Sequence, residues 1–185
     1  MKLVNFLIFI FISLTLSIKA EISENLLKEL KVGNKLIFIR HAYAPGTGDP
    51  NNFDLKNCKT QRNLNDIGKE QATRIGDFFL KNKISIGNVF SSEWCRCKET
   101  TLIAFKKFES KDFLNSFYNA KFAKNKKKQI KNFKKFIKEL DDTNNIVFVT
   151  HYVNIYEILN YSTMSGEIVI SDKKFNVIDS IKIYY

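Results

Sequence analysis

Two short runs in this chain are apolar without interruption, and each ends at a histidine. Leu36–Ile39, within "KLIFIRHAYAPGTGDP", leads into Arg40 and His41, and "NNIVFVTH" leads into His151. A strand wetted on one face alternates apolar and polar residues. A strand without that alternation is covered on both faces, as in a parallel sheet between layers of helices. His41 and His151 are the only histidines in 185 residues. Both fall at the carboxyl ends of strands, where open α/β sheets bind their ligands.

The remaining segments fit around these two strands. "NLNDIGKEQATRIGDFFLKN" predicts a helix capped by Asn65, with Ile67, Ile75, Phe78 and Phe79 on its buried face. "IGNVFSS" predicts a strand, and "SEWCRCKETTLIAF" a helix capped by Ser91 or Ser92. Residues 106–125 are aromatic and irregular. "KNKKKQIKNFKKFIKEL" places Ile130, Phe133, Ile137 and Leu140 at helical spacing. "VNIYEILN" reads as a short helix, and "GEIVI" and "KFNVIDSIKIYY" as two closing strands joined by an "SDKK" turn. Strands alternating with helices predict a three-layer α/β/α sandwich with a mostly parallel central sheet. The low Gly and Pro content, seven and two residues, excludes a fibrous or low-complexity chain.

The first twenty residues are a different material. Lys2 precedes an apolar block from Leu3 to Leu16, and "SIKA" ends in a small residue. The pattern reads as a secretory signal peptide cleaved after Ala20, with an uncleaved anchor as the alternative. Residues 21–185 then form one domain, expected in the periplasm or outside the cell.

Thirty Lys and Arg residues against nineteen Asp and Glu give a net charge of +11, which draws anions towards the surface. The Lys-rich helix has an apolar stripe a core can use, so its lysines read as a solvated face. A polyanion- or membrane-surface helix is the other reading. The cysteines are Cys58, Cys95 and Cys97. Export permits a disulfide. Cys95 and Cys97 are two apart on a helix and do not face each other. A bridge would therefore join Cys58 to either of them and leave one thiol free. "CRC" matches no zinc-chelating spacing.

Arg40, His41, Arg96 and His151 all fall at one edge of the expected sheet. Guanidinium forks match phosphate oxygens and stay charged. A neutral, oriented imidazole can act as nucleophile. Neighbouring arginines oppose a further positive charge and favour neutral His41. The pattern points to a phosphoryl pocket.

"FIRHA", "NLNDIGKEQA", "SSEWCRCKET" and "VTHYVNI", in that order and spacing, resemble the histidine phosphatase superfamily, which has the phosphoglycerate mutase-like fold. The resemblance is strongest to small bacterial members with a minimal cap. It implies that His41 takes the phosphoryl group, that Arg40 and Arg96 clamp it, and that His151 hydrogen-bonds its oxygens. Water would then release phosphate, with no metal and no cofactor. Glu99 matches a structural position. Two departures stand out. Ala42 occupies a position usually held by Gly, so a modest backbone adjustment is expected. Many members carry a Glu general acid where "DFLNSFYNA" offers Asn115, so Asp49 is the expected substitute. Arg62 is expected at the substrate rim, and Asn154 is expected to orient a phosphate or the loop. Trp94 and Phe117 are expected in the core. The implied function is an exported phosphatase for phosphate esters, phosphoramidates or anhydrides. The alternative is a catalytically weak phosphate-binding protein of the same fold. The expected partner is a phosphorylated small molecule or a glycan- or lipid-linked phosphate. No nucleic acid is expected, and no membrane span after signal cleavage.

Overall fold

The two histidine-terminated runs lie side by side in the sheet. A computed structural model describes residues 22–140 and 143–185; the expected signal peptide lies outside the described residues. β1 (Leu36–Arg40) and β4 (Asn145–Thr150) are parallel neighbours, with Arg40 opposite Thr150. One residue further along, His41 and His151 therefore emerge at the same edge. β2 (Ile86–Ser91) flanks β4, and the two-residue β3 (Glu109–Ser110) flanks β2, both parallel. β5 (Ile168–Ser171) and β6 (Val177–Ile181) complete the order β3-β2-β4-β1-β5-β6 as an antiparallel pair. The result is a six-stranded, mostly parallel sheet with helices on both faces, as the apolar runs predict.

Successive strand residues point to opposite faces, and the core divides accordingly. Ile37, Ile39, Val147 and Val149 pack towards α1 (Glu24–Val32), α2 (Asp66–Lys81) and α3 (Cys95–Phe105). Leu36, Phe38, Ile146 and Phe148 pack towards α5 (Lys126–Glu139) and α6 (Tyr152–Leu159). Phe38 and Phe148 stack at 5.4 Å, and Phe133 of α5 closes on Phe148 at 5.2 Å. Each such side chain contributes about 1.5–3 kcal/mol on full burial.

Local signals account for most boundaries. The Asn65 side chain caps α2 by accepting from the Gly68 N–H at 3.0 Å. Gly68 is there because of space: a Cβ would lie 1.9 Å from the Tyr43 carbonyl oxygen. That contact seats the loop after His41 directly on α2. Ile75, Phe78 and Phe79 are buried as expected, whereas Ile67 is exposed. It lies in the first turn of α2, off the face that meets the sheet. α3 has no side-chain cap; the expected Ser92 is committed elsewhere. Between β3 and α5 the chain forms a 3-10 turn at Asp112–Leu114 and the one-turn helix α4 (Ala120–Ala123). α5 buries Gln129, Phe133 and Ile137 and leaves most of its lysines in solvent, which is the docked-helix reading. Among the described residues no helix is long and apolar enough to cross a membrane.

Candidate active site

Arg40, His41, Arg96 and His151 converge on one cavity of about 510 Å³ at the carboxyl edge of the sheet. Strand register delivers the two histidines. The His41 N–H donates to the Thr150 carbonyl at 2.9 Å, and the imidazoles meet edge-on with centroids 5.5 Å apart. β2 lies beyond β4, and the first turn of α3 behind it brings Arg96 onto the His41 ring.

Hydrogen bonding fixes the tautomer of each ring. Arg96 Nε can only donate, and it lies 3.2 Å from His41 Nε2. A carbonyl can only accept, and the Ala42 oxygen lies 2.8 Å from His41 Nδ1. His41 is therefore protonated on Nδ1 and presents a lone pair on Nε2. For His151 the assignment passes through two other side chains. The Glu93 backbone N–H donates to Asn115 Oδ1 at 2.9 Å, which identifies that atom as the acceptor oxygen. The Ser92 hydroxyl, 3.1 Å away, must donate to the same oxygen. Its single proton is then used, so His151 Nε2–H donates to Ser92 Oγ at 2.9 Å. Nδ1 of His151 keeps its lone pair.

Both rings are neutral. Burial is the main cause of the fall in His41 basicity well below 6.5, with Arg96 next and Arg40 and Arg62 adding to it. His151 is lowered in the same way, by burial first and then by Arg96 and His41. The free cysteine, Cys97, touches His151 Nε2 at 3.5 Å. Burial pushes its thiol up to about 12, which removes it as a nucleophile.

Charge around the rings is unbalanced. Arg40, Arg62 and Arg96 line the cavity with one carboxylate, Asp49. Arg40 Nη1 donates to the Thr163 carbonyl at 2.9 Å, while its buried Nε has no partner. A buried unpaired donor on a cation is costly.

Asp49, expected as general acid, is a counter-ion instead. It accepts from Arg96 Nη1 at 2.8 Å, Arg96 Nη2 at 3.3 Å, the Arg62 backbone N–H at 3.1 Å and Trp94 Nε1 at 3.1 Å. Burial pushes its carboxyl up, but the Arg96 bonds and charge, helped by Arg62 and Trp94, hold it below the ordinary range. A carboxylate bound by four donors has no proton to give at neutral pH.

The other expected residues divide. Arg62 lines the cavity, yet its Nε donates to the Gly48 carbonyl at 2.8 Å and its Nη1 to the Ala44 carbonyl, bracing the loop after His41. Asn154, expected near a phosphate, is fully buried and does not line the cavity. Its Nδ2 donates to the Asn115 carbonyl at 3.2 Å, holding the 113–115 segment. Ala42 needs no backbone adjustment: its φ is not positive, and its N–H donates to Thr100 Oγ1 at 3.0 Å. Trp94 is both core and cavity wall, whereas Phe117 is buried as expected.

Several contributors are not among the residues expected at the site. Gln71 accepts from the Tyr43 N–H at 2.8 Å and ties the loop to Ser165. Gln61 Oε1 accepts from the Cys95 N–H at 2.9 Å at the start of α3. Cys58 is bonded to Cys95, stapling the loop to the helix that carries Arg96. In the "DFLNSFYNA" segment the residues lining the cavity are Ser116, Tyr118 and Asn119, not Asn115. No group of three metal-ligating side chains gathers among the described residues.

The fold occurs in solved structures. A protein described as an alpha-ribazole-5′-P phosphatase from Escherichia coli superposes with a TM-score of 0.62 at 13% identity, covering 82% of this chain and 98% of its own. The chain has the histidine phosphatase fold. Phosphoglycerate mutase from Thermus thermophilus, also of this fold, superposes at 0.56 with 14% identity, covering 80% and 98%. The protein histidine phosphatase SixA, complexed with tungstate, superposes at 0.55 with 13% identity, covering 80% and 96%. No protein-family model and no curated protein matches the sequence. Near-complete coverage of these compact proteins agrees with the short 106–125 segment, which adds only a minimal cap to the histidine phosphatase fold.

Proposed function

We propose that the protein is a phosphatase that works through a phosphohistidine on His41. The observation that carries this reading is the fixed Nδ1–H tautomer of a neutral His41, whose Nε2 lone pair faces a cluster of guanidiniums. An incoming phosphate takes the Arg96 bonds now shared by Asp49 and His41, beside the charge of Arg40, which also lines the cavity. Arg96 thereby releases Nε2 and draws phosphorus towards it. Nε2 attacks in line, the ester oxygen leaves, and the guanidiniums balance charge on the phosphoryl oxygens. Water then attacks the phosphohistidine. The bare Nδ1 of His151 accepts its proton, and phosphate departs. The tungstate complex of SixA, a protein of this fold, supports an oxyanion as ligand, tungstate being an analogue of phosphate.

Export is part of the proposal, with residues 1–20 as the signal and 21–185 as the working domain. The Cys58–Cys95 disulfide supports it, since such bonds persist in oxidising compartments. A second reading, a phosphate-binding protein with weak turnover, is favoured by one observation: Asp49 already occupies the Arg96 fork. Assay of phosphomonoesters and acetyl phosphate with wild type and His41→Ala separates the two. Turnover lost in His41→Ala supports the phosphatase. Phosphate binding without turnover in wild type supports the binding protein.

A further inference from the structure

The cavity is larger than a phosphoryl group needs; about 300–1,000 Å³ is the range of pockets for whole organic ligands. Its inner end is cationic, and one wall is aromatic. Trp94 meets the His151 ring edge-on at 5.4 Å. Phe53 stacks on Trp94 at 5.1 Å, and Phe122 closes on Trp94 at 5.6 Å and on Phe53 at 5.7 Å. All three line the cavity, and Phe53 and Phe122 keep part of their surface exposed. The wall starts beside His151 and reaches the partly exposed Phe53 and Phe122.

We propose that this wall is a subsite for the ring of aryl phosphate monoesters, and that these are the substrate class. The inference rests on the phosphohistidine reading above. Two independent features meet in it. Aromatic rings offer an incoming ring offset or edge-on contact. Among the described residues the carboxylate lining the cavity is Asp49, fixed on Arg96, and no other carboxylic acid there is placed to protonate the leaving oxygen. A phenol loses its proton near pH ~10, as Tyr does, so phenolate leaves without help. An alcohol is a far weaker acid, close to water itself, and needs a proton donor. In the transfer, the Nε2 lone pair forms the N–P bond as the P–O(aryl) bond breaks. The electron pair departs on the phenolate oxygen, which takes a proton from solvent. Hydrolysis of the N–P bond restores the lone pair and releases phosphate.

The test compares phenyl, benzyl and acetyl phosphate on the purified protein. Phenyl phosphate exceeds benzyl phosphate in kcat/KM by about 100-fold or more, because a missing general acid is worth about 10²–10⁴. In Phe122→Ala, the ratio of kcat/KM for phenyl phosphate to that for acetyl phosphate, which has no ring, falls about tenfold. Phe122→Leu keeps the apolar contact with Trp94 and guards against misfolding; it lowers the same ratio about threefold. Equal rates on phenyl and benzyl phosphate, or an unchanged ratio in both variants, overturn the proposal. Failure of wild type on all three substrates, acetyl phosphate included, is instead the failure of the phosphohistidine reading, and the aryl subsite falls with it.

Discussion

Arg96 Nε lies 3.2 Å from His41 Nε2. The atom proposed to attack phosphorus is therefore hydrogen-bonded to the cation proposed to hold it. The same guanidinium grips Asp49 with its other two nitrogens. Arg96 thus masks the proposed nucleophile, and Asp49 holds the fork that a phosphate would take. Substrate has to displace both contacts.

Substitutions at this pair separate their roles. Arg96→Ala removes a transition-state donor and lowers kcat/KM by about 10²–10³-fold in steady-state assays. Asp49→Asn removes the competing negative charge. Inorganic phosphate then raises the melting temperature of Asp49→Asn more than that of wild type, since the ligand meets less competition for Arg96. Equal phosphate shifts in the two proteins would show that Asp49 does not compete.

The neutral histidines impose a pH dependence on stability. Both fall well below 6.5 in the fold through burial and Arg96, while in the unfolded chain they titrate near ~6.5. As pH drops below that value the unfolded state binds protons that the folded state refuses. Stability is full above about pH 6.5 and declines below it by about 1.4 kcal/mol per pH unit for each histidine. Asp49 also loses its contribution as pH falls, but only below about 3.9. Denaturant melts between pH 7 and 5 show the decline, and His151→Asn halves its slope.

Asn115 is a positioning residue for His151. Asn115→Leu removes the oxygen that receives the Ser92 proton, so the hydroxyl is free to donate and the Nδ1–H tautomer of His151 becomes populated. ¹⁵N chemical shifts of the His151 ring report that change directly. A purely structural role would lower the melting temperature and leave the tautomer as in wild type. The hydrolytic step, which uses a bare Nδ1, slows along with it.

The Cys58–Cys95 bond closes a loop of sequence separation 37. Reduction destabilises the fold by about 2–4 kcal/mol, read as a lower melting temperature in dithiothreitol. Activity falls in parallel, because the staple joins the loop after His41 to the Arg96 helix. Cys97 resists alkylation until the protein unfolds, since its thiol is buried and pushed up to about 12.

Strand-borne features of the site are legible in the sequence. Arg40, His41 and His151 follow continuous apolar runs, and parallel pairing leaves them one place to go. Arg96 is legible from a strand followed by a helix. Side-chain relays are not. Ser92, Asn115 and His151 are scattered along the chain, and Ser92 looks like a helix cap because capping serines occupy that position. Its hydroxyl bonds His151 instead, a tertiary demand that outweighs the local one. Asp49 before Pro50 carries no mark that distinguishes an acid from a counter-ion; only the four donors around it decide. Asn154 lies one turn after His151 and looks close to the site, but helical phase turns it towards the 113–115 backbone.

The central claim is covalent. Rapid mixing of the protein with ³²P-labelled phenyl phosphate, followed by alkaline quench within milliseconds and peptide mapping, tests it most directly. The account predicts alkali-stable, acid-labile label on Nε2 of His41, absent from His41→Ala. Label on another residue, an acid-stable phosphoester, or steady turnover in His41→Ala would contradict it.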